Sequence, residues 1–125
     1  MKKLLLTLGL FFMFSAVALS QTQVLSGTWG ANSETKSYTL SSNSGERTFT
    51  VEVNFLKPFE NKPDVVVGVS ALDADKNLNV RYSIAPKSIS RDGFTVEVAT
   101  WGDSKIYTIC GFWVAHAETT SGSGN

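Results

Sequence analysis

Residues 48–55 read TFTVEVNF, and the alternation in this stretch decides the fold. Phe49, Val51, Val53 and Phe55 fall on one face, and Thr48, Thr50, Glu52 and Asn54 on the other. Successive side chains of an extended chain point to opposite sides, so a period of two means a half-buried β-strand. After it, LKPFENKP at 56–63 is a connection, because Pro58 and Pro63 cannot donate to a ladder. DVVVGVSAL at 64–72 is a β-branched run short enough for a strand buried on both faces. DADKNLN at 73–79 reads as a polar loop. VRYSI at 80–84 alternates again, which places Val80, Tyr82 and Ile84 inward and Arg81 and Ser83 outward. SRDG at 90–93 is a turn, FTVEV at 94–98 a strand with Phe94, Val96 and Val98 inward, and WGDSK at 101–105 another turn. IYTICGFWVA at 106–115 closes the series as a long final strand. The polar segment Gly30 to Gly45 leaves room for one short strand around Tyr38–Leu40. Five or six strands joined by turns, with no sustained helical period in 21–125, predict an all-β, antiparallel β-sandwich.

The ends of the chain read differently. MKKLLLTLGLFFMFSAVALSQ has a positive start at Lys2 and Lys3, an apolar run from Leu4 to about Phe14, and small residues at Ala16, Ala18 and Ser20. That order is a secretory signal peptide over residues 1–20, and the apolar run is shorter than the roughly 20 residues of a membrane span. The expected product is a secreted, extracellular domain over 21–118, with a flexible tail over 119–125. With Lys2 and Lys3 removed, the remainder is slightly acidic, so no electrostatic attraction to nucleic acid or an anionic membrane is expected. Cys110 is the only cysteine, which excludes an internal disulfide, and its apolar surroundings predict a buried, inert thiol. So small a domain without disulfides needs a well-filled core, oligomerisation, or both.

Signs of catalysis are few. His116 is the single histidine, at the end of the last strand, and no nucleophile elbow or phosphate-cradling loop is present. The sequence therefore predicts a protein that is not an enzyme and uses no cofactor. Asp73, Asp75 and Asn77 have the spacing of the first ligands of a calcium loop. Leu78 and Ile84 stand where that loop requires its glycine and bidentate glutamate, which leaves only a looser calcium site between loops. What remains is a binding surface. Arg81 offers a rigid fork of donors, and Trp101, at the edge of a turn, offers a flat apolar plate with one donor. A fork and a plate suit a sugar such as galactose, whose ring has hydroxyls on its rim and a C–H face.

These segments together resemble the H-type lectin domain family. The matching residues are VLSGTW at 24–29, VNFLKPFENKPDVVVGVSALD at 53–73, Arg81, ISRDGFTVEVATWGDSKIY at 89–107, and FWVA at 112–115. The resemblance implies a six-stranded antiparallel β-sandwich that forms a homotrimer. It also implies binding of terminal galactose or N-acetylgalactosamine in a shallow site between neighbouring protomers. Arg81 matches the arginine that bonds sugar hydroxyls, Trp101 the turn aromatic supplied by the neighbouring protomer, and Tyr107 a tyrosine that lines the site in some members. Trp101 is then expected to face outward, and Trp113 to pack within the final strand or at the trimer contact. Two departures stand out. Gly102 replaces a sugar-touching histidine, and no aspartate occupies the N-terminal loop, where Asn43, Ser44 and Glu46 lie nearest the expected place. Asp73 and Asp103 are read as turn aspartates that bond backbone N–H groups, and Lys105 as a surface partner of an acidic neighbour. The departures favour one alternative, a structural or adhesion module with a degenerate sugar site that acts through protein contacts.

Overall fold

The computed structural model describes residues 20–42 and 44–120. The signal peptide expected over 1–20 lies, apart from Ser20, outside the described residues, as does 121–125 of the expected tail. Six strands form two antiparallel three-stranded sheets: β1 (Ser20–Asn32), β2 (Arg47–Asn54), β3 (Asp64–Ala74), β4 (Tyr82–Lys87), β5 (Gly93–Thr100) and β6 (Ile106–Thr120). The order is β1-β6-β3 in one sheet and β2-β5-β4 in the other. The expected antiparallel β-sandwich is the fold.

The inner faces follow the alternation. Val96 and Val98 are fully buried, as are Ile106, Ile109 and Ala115, and Phe94 is nearly so. Phe55, Phe94 and Trp113 form an aromatic centre, with each ring 5.6–5.9 Å from the other two. Tilted and edge-on contacts of this kind favour rings beyond their burial alone. Trp113 thus packs between the sheets.

Several expectations are corrected. No strand forms at Tyr38–Leu40. The remaining strand is β1, and residues 38–40 instead pack against the core, with Leu40 fully buried. Tyr38 donates its hydroxyl to the Ile106 carbonyl at 2.7 Å, and burial pushes its pKa up to about 12. The last strand runs past the tail boundary expected at 119: Thr119 and Thr120 pair with Gln21 and Ser20. β3 is not buried on both faces. Val65, Val67 and Val69 turn inward, while Val66 is 56% exposed on the other side. Val80 and Tyr82 are exposed rather than inward, because the regular strand begins only at Tyr82. Cys110 is half-buried rather than buried, since it follows the core residue Ile109 and so takes the outer face of β6.

Candidate functional site

At one end of the sandwich the chain turns from β5 to β6 through Trp101–Lys105, and this turn gathers most of the residues of interest. Trp101 is 44% exposed, so its indole faces outward as expected. Gly102 has φ 68°, a left-handed conformation that side chains disfavour. The Arg81 guanidinium lies over it: a Cβ on Gly102 would stand 3.2 Å from Arg81 Nη1. Arg81 Nη1 donates to Asp103 Oδ1 at 2.7 Å, the only ion pair among the described residues. Asp103 therefore bonds the arginine, not the backbone N–H groups assigned to it from sequence.

Arg81 is held from below. Its N–H donates to Ser104 Oγ at 2.9 Å, and its carbonyl accepts from Thr100 Oγ1 at 2.6 Å. Both hydroxyl residues are fully buried, and Ser104 Oγ in turn donates to the Asn79 carbonyl. The two hydroxyls stitch the loop before β4 to the ends of the β5–β6 turn.

The other flank of the turn rests on Arg47, a buried residue that the sequence did not single out. It donates from Nε to the Gly45 carbonyl at 3.0 Å, from Nη1 to the Ser42 carbonyl at 2.8 Å, and from Nη2 to the Gly102 carbonyl at 3.2 Å. Gly45 N–H also donates to the Gly102 carbonyl, at 2.9 Å. Ser42 and Gly45 are thereby docked on the turn, which brings Ser44 and Glu46, both exposed, beside Gly102. Asn43 lies outside the described residues. An inward arginine at the first position of an alternating strand was the available signal for Arg47, but charge alone gave no reason to bury it.

Tyr107 has a different partner. Its hydroxyl donates to Asp75 Oδ2 at 2.9 Å, and Asp75 Oδ1 accepts from Asn77 N–H at 2.9 Å. The Asn77 amide, the Tyr107 hydroxyl and the nearby Lys105 charge hold the Asp75 carboxyl below the usual carboxylate range. The same hydrogen bond to Asp75 pushes the Tyr107 phenol up. This clasp fastens the start of the β3–β4 loop that leads to Arg81. Asp73 lies exposed on β3 beside it. Among the described residues no three His, Cys, Asp or Glu side chains gather as metal ligands.

The class of protein defined here is a small two-sheet β-sandwich with an arginine–tryptophan surface on its loops. Residues 50–116 match the family model of the H-type lectin domain. The chain belongs to the H-type lectin domain family. It is 37% identical over 71 residues to the protein called ATP synthase subunits region ORF 7 from Fuscovulum blasticum, covering 57% of this chain and 62% of that one. One of the discoidin-1 polypeptides of Dictyostelium discoideum is 29% identical over 79 residues, covering 62% of this chain and 31% of its own. The chain thus spans less than two thirds of either relative. Among solved structures, wild-type discoidin II of Dictyostelium discoideum aligns with a TM-score of 0.71 at 26% identity, over 83% of this chain and 40% of that one.

Proposed function

We propose that the protein is a secreted, non-enzymatic lectin that takes terminal galactose or N-acetylgalactosamine through Arg81 and Trp101 and acts as a homotrimer. The observation that carries this reading is the Arg81 guanidinium lying over Gly102, next in sequence to the exposed Trp101 indole, in a chain of the H-type lectin domain family. An indole covers the C–H face of a pyranose, and a guanidinium donates to neighbouring hydroxyl oxygens. Both groups stand on a base pre-organised by buried hydroxyls, so little freedom is lost on binding.

A shallow site of this kind binds one sugar weakly, and affinity for a glycosylated surface then depends on several sites acting together. The outer face of β1-β6-β3 supports assembly. Across its middle, Ser26–Val114–Val66, Thr28–Phe112–Gly68 and Gly30–Cys110–Ala71 form three adjacent rows without a charge. Phe112 is 46% exposed at their centre. The outer face of β2-β5-β4 instead carries Glu52, Glu97 and Lys87. An apolar face of this extent on a small domain suits contact with further copies of the chain.

The test is a glycan array probed with the parent and with Arg81→Ala. Binding of terminal galactose or N-acetylgalactosamine by the parent, lost in the variant, is the expected result. A folded parent that binds no glycan would point instead to an adhesion module working through protein contacts, which the same apolar face favours. Agglutination of cells that free sugar does not inhibit would mark that second reading.

A further inference from the structure

The geometry points to Asp103 as a direct sugar ligand, the acceptor that complements Arg81 as donor, so that the pair brackets two neighbouring hydroxyls of the ring. This inference rests on the proposed lectin reading and deepens it. A hydroxyl both donates and accepts, whereas arginine can only donate. A site made of Arg81 and Trp101 alone would leave the hydroxyl hydrogens of a bound sugar without an acceptor, and a desolvated unpaired donor weakens binding. The Gly102 carbonyl cannot serve readily, because it already accepts from Gly45 N–H and Arg47.

Asp103 meets the requirement. Its side chain is 57% exposed and that of Arg81 is 36% exposed, so the pair is open to solvent. Only Arg81 Nη1 and Asp103 Oδ1 are engaged. Oδ2 of Asp103, and Nε and Nη2 of Arg81, have no partner among the described residues. A half-used carboxylate therefore stands beside a half-used guanidinium, two residues from the exposed indole. Ser104, next in sequence to Asp103, is fully buried and bonded to the Arg81 backbone, which fixes the spacing of the two groups. Glu46 is the competing acceptor. It is exposed on loop 42–46, and its longer side chain would have to surrender more rotamer freedom to reach a ligand.

The experiment is an NMR titration of the full chain with methyl galactoside and its monodeoxy derivatives, run on the parent, Asp103→Ala, Asp103→Asn and Glu46→Ala. Asp103→Ala should weaken methyl galactoside binding about 10-fold or more, the scale of a hydrogen bond to a charged group. It should also erase the penalty that one particular deoxygenation imposes on the parent, because the hydroxyl and its acceptor are then both gone. Asp103→Asn, which keeps one acceptor oxygen, should fall between, and Glu46→Ala should match the parent. Thermal melts identify any variant that has lost its fold. A uniform loss across all the deoxy sugars would reduce Asp103 to a positioning residue for Arg81 and overturn the inference, as would unchanged affinity. In both cases the lectin reading would stand. A parent that binds none of the sugars would overturn the lectin reading itself, and this inference with it.

Discussion

Gly102 sits where two constraints meet. Its φ of 68° disfavours any side chain, and a Cβ there would stand only 3.2 Å from Arg81 Nη1. Gly102→Ala should lower stability by about 1–2 kcal/mol, the ordinary cost of a left-handed non-glycine residue, and should displace Arg81. A thermal melt measures the first effect and a sugar titration the second. The histidine borne at this position by some family members would meet the same obstacle here, so the departure read from sequence has a structural counterpart in the placement of Arg81. Tyr107 and Asp75 give a prediction in pH. The folded pKa of Asp75 is lowered, so its contribution is complete above the ordinary value of 3.8 and is lost as pH falls through the folded value. Tyr107 is raised, so its contribution is complete below the ordinary value of 10.0 and is lost as pH rises through its folded value. Tyr107→Phe should bring the Asp75 pKa partway back toward 3.8, with the Asn77 amide still in place. Carboxyl-carbon NMR would record it.

At the scale of elements, β6 holds the molecule together. It is central in its sheet, paired with β1 from Thr108 to Thr120 and with β3 on the other side. It also supplies Trp113 to the aromatic centre. Trp113→Ala should cost about 3–5 kcal/mol, because Phe55 and Phe94 lose a ring that no neighbour can replace. Urea denaturation should show this as a lower midpoint. The same tryptophan explains why β1 was not legible as a strand. At Gly27, an inward position of β1, a Cβ would lie 2.7 Å from the Trp113 indole, so the core demands a gap where alternation would place an apolar residue. The strands at 48–55 and 94–98 were legible because each fills its own inward positions, and 106–115 because Ile109, Trp113 and Ala115 mark its inward face on either side of Gly111. β3 was read as doubly buried because Val66 resembles its neighbours in type, and only the sheet's outer face distinguishes it.

At the scale of the whole molecule, the uncharged rows around Phe112 are where assembly can be broken without changing Arg81 or Trp101. Val66→Glu should convert the proposed trimer to monomer by sedimentation, since a charge would then be buried among Phe112 and Val114 of this face or its copies. Affinity for free galactoside should fall as well, because a site shared between protomers loses the Trp101 of its neighbour, and binding to a glycan-dense surface should fall by about 10²-fold or more. The sequence by itself determined the β-sandwich, most of its strands and the outward Trp101, because alternation and turn chemistry are local and each stretch carries its own signal. It also pointed to Arg81 and Gly102 by resemblance. Only the tertiary structure decided that Arg47 is buried as the brace of the β5–β6 turn, that Thr100 and Ser104 clamp the Arg81 backbone, and that Asp103 pairs with Arg81. Each of these contacts joins residues 19 to 55 positions apart. No local pattern encodes such pairings, because they exist only once strands distant in the chain have been folded side by side.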